Sequence, residues 1–367
     1  MQEFSIKIDK NITISIYLPP RIFIMKEKKT GGVCMETLRV VFTEPCVAQL
    51  QSRSLPAVTG ENVLLKMEYT VVSGGTERAY LMGMPNTRQV FPTGIGYCGL
   101  GRILEIGDGV KDLQPGDRVL VYHGGHSSYS VVSQSRLTKI KSDKIDSLDA
   151  VFTIIASMGL GGVRRLELEL GESAMVIGLG LLGMFSVQFC RLSGCNPVIA
   201  VDLDPHRRKL ALELGADYAL DPSDPDFEKT IMELTDGKGI SGCVEVTGAS
   251  SAMQTALKCA ARQGRISLLG CSRVSDCSVD YYAQVHKPGV RLIGAHNMVR
   301  PQVDSYPHCW THHDDCRAIL GLLAAGKMQV APIRSRVVSA REAPEIYRQL
   351  VQDRNFPIGT VFDWRDL

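Results

Sequence analysis

Hydrophobic and polar positions fall into two rhythms along the chain. From residue 35 to about 135, short β-branched and apolar runs recur: LRVVF, ENVLLKMEYTVV, GRILEIG, DRVLVYH and SYSVV. Gly and Pro clusters such as PTGIGYCGLG and QPGD separate them, which predicts short strands in a β-rich, barrel-like unit. From about residue 157 the period changes. The buried-strand segments MVIGLG, PVIAVD, CVEVTG, GRISLLG and RLIGAH alternate with the helical stretches GMFSVQFCRLSG, PHRRKLALELG, FEKTIMELT and AMQTALKCAARQG. That alternation predicts βαβ units and a parallel sheet. The tail, roughly 314–367, adds two helices (DDCRAILGLLAAG and AREAPEIYRQLVQD) and a last strand, IGTVFDW. At the other end FSIKIDKNITISIYL (4–18) alternates like one strand. Pro19-Pro20 breaks it, and KEKK at 26–29 with Gly31-Gly32 reads as a linker before Met35, which offers a second start.

Length and charge narrow the classes. A chain of 367 residues suggests two or three domains. Lys and Arg number 41 against 39 Asp and Glu, so no basic excess points to nucleic acid. No apolar run reaches membrane-spanning length. The 11 cysteines form no CxxC pair, which reads as a reducing cytoplasm with thiols used as small apolar residues. The start shows no signal-peptide pattern, so the expectation is a cytoplasmic protein acting on a small molecule.

The strongest chemical signal is SAMVIGLGLLGMFSVQFCRLSG. Gly178, Gly180 and Gly183 spell GxGxxG after an apolar strand and at the start of a helix. This spacing gives a tight turn, a close approach to a pyrophosphate and close helix–strand packing. The helix N-terminus presents free N–H groups to the phosphates, which makes Leu181 and Leu182 cofactor contacts too. Asp202 ends the next strand, where a carboxylate accepts from both ribose hydroxyls and repels a 2′-phosphate. NAD is therefore expected ahead of NADP. Arg207, with Arg208 beside it, is the residue that bears on a phosphate there, although a solvated helix start explains both arginines.

With a β-rich front half, a GxGxxG unit behind it and a short return segment, residues 36–367 resemble the medium-chain dehydrogenase/reductase superfamily of alcohol, polyol and threonine dehydrogenases. The likeness rests on VLLKMEYTVVSGGTERAYLMG, GYCGLGRILEIGDGVKDLQPGDRV, GLGLLG, VEVTG and GRISLLG. It implies an α/β fold class, with a GroES-like β-rich catalytic domain plus a Rossmann doubly wound parallel-sheet domain. The implied division is an N-terminal extension at 1–34, the catalytic domain at 35–159 and 297–367, and the nucleotide domain at 160–296. It also implies a homodimer or homotetramer paired through the edge strand RLIGAH. Zinc members of the superfamily carry a Cys where Gly74 stands, a His where Tyr97 stands, and a Cys or Glu near Ile155–Ser157. A catalytic zinc needs three protein ligands, so no metal site and no zinc are expected.

Without zinc, side chains must hold the reacting oxygen and move its proton. Tyr97 occupies the place of the metal-binding His. Two roles stay open for it: a base whose pKa a neighbour lowers, or a donor to a carbonyl. Thr76 matches the family's relay hydroxyl. His123 and His126 flank Gly124-Gly125, and His123 is the candidate acid/base. Glu77 is expected to pair with an arginine such as Arg78, and Cys98 to act as a small filler. Thr247 and Gly248 are expected beside the cofactor. His296 and Asn297, after the last parallel strand, are expected at the nicotinamide or substrate. The run from His308 to Cys316 could place His308, His312 and Cys316 on one helix as metal ligands, although Pro307 and Asp314-Asp315 suit an exposed helix start. The function expected is zinc-independent, NAD(H)-dependent interconversion of a secondary alcohol, in a sugar, polyol or cyclitol, with its ketone. An NADPH-dependent quinone or enone reductase and a non-catalytic nucleotide-binding protein stand as alternatives.

Overall fold

The computed structural model describes the backbone of residues 2–9 and 12–18, and residues 35–353 and 355–367. The expected linker and Cys34 lie outside the described residues. Residues 4–18 are not one strand: β1 (Gln2–Asp9) and β2 (Ile12–Leu18) pair antiparallel, from Gln2 opposite Leu18 to Asp9 opposite Ile12.

The front half is built of strands. These are β3 (Glu36–Glu44), β4 (Val47–Ser54), β5 (Asn62–Val71), β6 (Thr93–Gly94), β7 (Cys98–Ile106), β8 (Arg118–Tyr122), β9 (Tyr129–Ser133) and β10 (Leu137–Lys139). The helix α1 (Gly74–Leu81) follows β5. Strand β5 is central and shows why the sequence builds a covered sheet. Val63, Leu65 and Met67 point into a barrel core with Phe42, Ile103, Val119 and Val121. A register shift between Met67 and Tyr69 against β7 then reverses the alternation. Beyond it Tyr69 and Val71 join the core on the opposite side.

The second half is a six-stranded parallel sheet. Its strands are β11 (Ala174–Ile177), β12 (Val198–Val201), β13 (Tyr218–Leu220), β14 (Ile240–Glu245), β15 (Ala260–Leu268) and β16 (Arg291–Gly294). They lie in the order β13-β12-β11-β14-β15-β16. Period two again sets the faces. Ala174, Val176, Val198 and Ala200 face one core, and Met175, Ile177, Ile199 and Val201 the other. Helices cover both faces: α2 (Ser147–Ala150) leads into α3 (Thr153–Arg164), and α4 (Leu181–Leu192), α5 (Pro205–Glu213), α6 (Phe227–Leu234) and α7 (Ser250–Cys259) follow. The helix expected over 252–264 stops at Cys259, and residues 260–264 already extend into β15. Helix α7 therefore runs into β15 with almost no intervening loop.

The tail returns to the front half. After α8 (His312–Ala324) come β17 (Arg336–Ser339), α9 (Ala343–Gln352) and β18 (Thr360–Asp363). β18 pairs antiparallel with β5, and Tyr347, Phe362 and Trp364 fill the barrel core. Helix α3 lies in a core shared by Leu100 and Leu120 of the barrel and Val176 and Val198 of the parallel sheet. The two sheets are thus packed through one apolar layer, with the carboxyl ends of the parallel strands turned towards the end of β8.

Candidate active site

The glycine turn shows the geometry a dinucleotide needs. Gly178 has φ 95°, a left-handed conformation that favours glycine, and a side chain there would strike Thr247. A Cβ on Gly183 would lie 1.8 Å from the Gly178 carbonyl oxygen, so this glycine lets α4 start against the turn. Gly180 faces open space, with nothing within 4 Å of where a methyl group would sit. Leu181 opens α4 and is buried, and Leu182 is half-buried beside it. The free N–H groups of α4 therefore look onto an unobstructed seat at the carboxyl edge of the sheet.

Asp202 follows β12. Its Oδ2 accepts from Leu179 N at 2.6 Å and its Oδ1 from Asp204 N at 2.9 Å. Each carboxylate oxygen keeps a further lone pair for a ligand hydroxyl. Arg207 pairs with Asp204 at 3.6 Å. Arg208 is turned away, donating to the carbonyls of Asp202 and Leu203 and to Asp221. Thr247 and Gly248 border the Gly178 turn. The buried Glu245 shapes this border by accepting from Thr247 N (2.7 Å), the Thr247 hydroxyl and Gly248 N (3.0 Å). Burial pushes the Glu245 carboxyl upward. Nothing in the pattern of VEVTG distinguished this acid from an ordinary strand residue. His296 is exposed and its Nδ1 accepts from Met298 N, capping the short 3-10 turn Asn297–Val299.

Across from this seat lies a hydroxyl-rich wall. Tyr97 donates to Ser73 Oγ, and the Ser73 and Thr76 hydroxyls both favour its ionised form. Burial outweighs them and holds the Tyr97 phenol well above its ordinary value. In this arrangement the phenol acts as a hydrogen-bond donor. Ser73 sits at the N-cap of α1, yet its side chain makes no cap bond and is given to Tyr97 instead. The Tyr97 ring centroid is 5.9 Å from that of His123, which in turn is 4.1 Å from Tyr122. His123 is exposed, with φ 57°, and desolvation, then Arg136 and Arg88, hold its pKa below the usual value. Asn297 Nδ2 donates to the Tyr122 hydroxyl at 2.5 Å, while its Oδ1 is buried without a partner among the described residues.

Two expectations about this wall are corrected. Among the described residues Glu77 pairs with no arginine: Arg78 donates to the Val351 and Asp353 carbonyls instead. Glu77 is fully buried, 3.2 Å from His126 Nε2, and accepts from the Tyr347 hydroxyl (2.6 Å) and Ser73 N (3.0 Å). His126 is also fully buried, its Nδ1 2.6 Å from Thr70 Oγ1, which accepts from Trp364 Nε1. It is a core residue that braces the loop, not a loop imidazole open to substrate. Tyr347 of α9 and Trp364, just after β18, are 270 and 294 residues from their partners in sequence, so no local pattern announces these contacts.

The metal positions do not fit a zinc ion. Gly74 offers no donor, Tyr97 is a neutral phenol, and Ile155, Ala156 and Ser157 supply neither thiolate nor carboxylate. Among the described residues no group of three His, Cys, Asp or Glu side chains is placed to hold a metal ion. The expected helix beginning at Pro307 is also corrected. Thr311 caps α8 through Asp314 N, and His308 lies before it at φ 62°. His312 and Cys316 do share a face, with Nε2 and Sγ 3.5 Å apart, but their third neighbour is the Ser157 hydroxyl, 3.1 Å from His312 Nδ1. His312 stacks on Tyr122 at 4.4 Å, and burial, then Arg300, pull its pKa down to about 3. Cys98 is buried in the core that the barrel shares with the parallel sheet.

Comparison with known proteins agrees with this architecture. The zinc-binding dehydrogenase family profile matches residues 182–304. L-threonine 3-dehydrogenase from Thermococcus kodakarensis is 30% identical over 63% of this chain and 74% of its own length. D-guloside 3-dehydrogenase from Escherichia coli is 26% identical over 88% of this chain and 99% of its own. Among solved structures, the alcohol dehydrogenase from Thermus sp. ATN1 superposes with a TM-score of 0.74 at 20% identity, over 89% of this chain and 99% of that one.

Proposed function

The chain belongs to the medium-chain, zinc-type alcohol dehydrogenase-like superfamily, whose members are nicotinamide-dependent dehydrogenases acting on CH–OH groups, and from that premise we propose that it interconverts a secondary alcohol and its ketone with NAD(H) and without zinc. The observation that carries this reading is the Tyr97–Ser73 hydroxyl pair, standing where the superfamily's metal would be.

The nicotinamide, when bound, supplies the hydride acceptor. The chain's residues do the rest. Gly178, Gly180, Leu181, Leu182 and Gly183 seat the pyrophosphate, and Thr247 and Gly248 border it. Asp202 holds the ribose hydroxyls, its carboxylate disfavouring a 2′-phosphate. His296 closes the nicotinamide end. Tyr97, kept neutral by burial, hydrogen-bonds the reacting oxygen and gives it a proton in the reducing direction. Ser73 and Thr76 orient that phenol. His123, its ring 5.9 Å from that of Tyr97 and open to solvent, would return a proton from water to the phenolate so formed, and the same path runs backwards in oxidation.

A polyhydroxylated substrate, a sugar or polyol, suits this wall of phenols, hydroxyls and amide. The buried Asn297 Oδ1 lacks a donor, and a substrate hydroxyl would supply one. D-guloside 3-dehydrogenase, similar over nearly its whole length, supports the same substrate class.

The test combines metal analysis with one substitution. Protein purified without added zinc should carry less than about 0.1 zinc per chain, since three ligands are wanting. Tyr97→Phe should then lower kcat on a sugar or polyol substrate by about 100-fold, the scale of general acid catalysis. One tightly held zinc per chain, or a Tyr97→Phe activity within about twofold of wild type, would remove this mechanism.

A further inference from the structure

Behind the cleft floor, α3, the stretch after β16 and the turn before α8 enclose a small cavity. Its walls include Arg164, Arg165, Arg300, His308 and Trp310. Charge is unevenly met there. Asp315, fully buried, serves two of the arginines: Arg164 Nε at 2.7 Å and Arg300 Nη2 at 2.9 Å. Arg164 also lies over the Trp310 ring at 3.7 Å. Arg165 has no ion pair among the described residues, and its buried Nε has no partner. Arg300 is only 9% exposed, and its Nη1 likewise lacks an acceptor. Three guanidinium groups thus face one carboxylate, with two buried charged donors unsatisfied.

Such donors are costly to leave unmade, more so when they carry charge. The packing is nonetheless built to keep them there. A Cβ on Gly161 would lie 2.1 Å from Arg300 Nη2, so a side chain at this position would displace the guanidinium. Arg300 Nη2 is further anchored on the Ser157 carbonyl. A water molecule would satisfy the donors but leave the excess charge.

We propose that this cavity is an oxyanion site, with a phosphoryl or carboxylate oxygen held between Arg165 and Arg300. Each guanidinium offers that oxygen one unmet N–H, a charge-assisted bond that an anionic oxygen accepts more strongly than chloride does. The enclosed space is about that of a single water, so one oxygen enters while the rest of the group stays in the mouth beside His308. The site is separate from the pyrophosphate seat, with which it shares no residue. It does not depend on the reaction proposed above.

Inorganic phosphate is the first probe, titrated calorimetrically against the full chain saturated with NADH, at ionic strength held constant with sodium chloride. Saturable phosphate binding that chloride does not reproduce is expected. Arg165→Gln should weaken it at least about tenfold, the loss of one charge-assisted bond. That substitution removes a guanidinium with no carboxylate partner, so folding and NADH affinity should be kept. Arg300→Gln would strand Asp315 and serves only as a second check. Sorbitol 6-phosphate distinguishes the source. Binding about tenfold or more tighter than phosphate that Arg165→Gln abolishes points to an anionic group on a larger ligand, and binding equal to phosphate points to the free anion. Equal heats for chloride and phosphate, or unchanged affinity in Arg165→Gln, would overturn the proposal.

Discussion

At the scale of single residues, the cleft is defined by where polar side chains are diverted. Ser73 occupies a helix N-cap and would ordinarily accept from the first turn, a bond of about 1 kcal/mol. Its hydroxyl serves Tyr97 instead, and Glu77 receives its backbone N–H. Ser73→Ala loses no cap, so it should cost only about 0.5–1.5 kcal/mol, the worth of the hydrogen bond from Tyr97. It should lower kcat about tenfold with little change in KM, because the phenol loses its orienting partner. Thermal unfolding and steady-state kinetics on the same preparation check both halves. His312 makes a second residue-level expectation. Its folded pKa, about 3, lies below the ordinary histidine value. Between those two values the unfolded chain binds the proton and the folded chain does not, so stability falls as pH drops. From pH 7 to pH 5 the contribution is about 1–2 kcal/mol. Urea midpoints measured across that range should show it, and His312→Gln should flatten the slope.

At the scale of elements, the β11–α4 turn separates two kinds of glycine by what surrounds them. Gly183 is required by packing, because a Cβ would meet the Gly178 carbonyl at 1.8 Å. Gly180 is free of neighbours and has an extended φ of −74°, ψ of −166° that any residue adopts. Gly180→Ala should accordingly fold with an unchanged melting temperature. It should still weaken NADH binding at least about tenfold, because its methyl would enter the pyrophosphate seat. Gly183→Ala should destabilise the fold by about 1–3 kcal/mol, the range for overpacking. Fluorescence titration with NADH, read beside thermal melts, distinguishes the two. The pattern GxGxxG was legible in sequence because local spacing alone encodes a turn. The parts expected of its glycines were legible as well, and the surroundings of Gly178 and Gly183 agree with them; which atoms a side chain would meet was not, since Thr247 comes from a distant strand end.

At the scale of the whole molecule, β16 is an outer strand of the six-stranded sheet, with Arg291 and Gly294 exposed. An edge with free backbone groups is a natural pairing surface. We expect a homodimer, or a tetramer built on it, with β16 meeting its copy. Light scattering on the purified chain measures this directly, and a monomer at micromolar concentration would count against it. The described residues contain no helix long and apolar enough to cross a membrane.

The alternation of apolar positions by itself determined the longer strands of both sheets and helices α4 to α9, because period two and period 3.6 are properties of neighbouring residues; the short strands β6, β10, β13 and β17, the exposed β4 and helices α1 to α3 carried too weak a local pattern. It failed where a boundary depends on a distant partner, as at residues 260–264, which extend β15 instead of continuing α7. Spacing also placed Gly178–Gly183 and Asp202 in candidate roles, and the resemblance to the superfamily placed Tyr97 and Thr76. The tertiary structure decided which groups are charged, paired or reachable. His123 and His126 are near-identical in sequence context, yet one is exposed and the other is locked between Glu77, Thr70 and the aromatic core. Tyr122, Asn297 and Arg300 acquire their positions only when β8, the end of the parallel sheet and α3 come together. Burial and hydrogen-bond partners are set by segments hundreds of residues apart, and no local pattern carries that information.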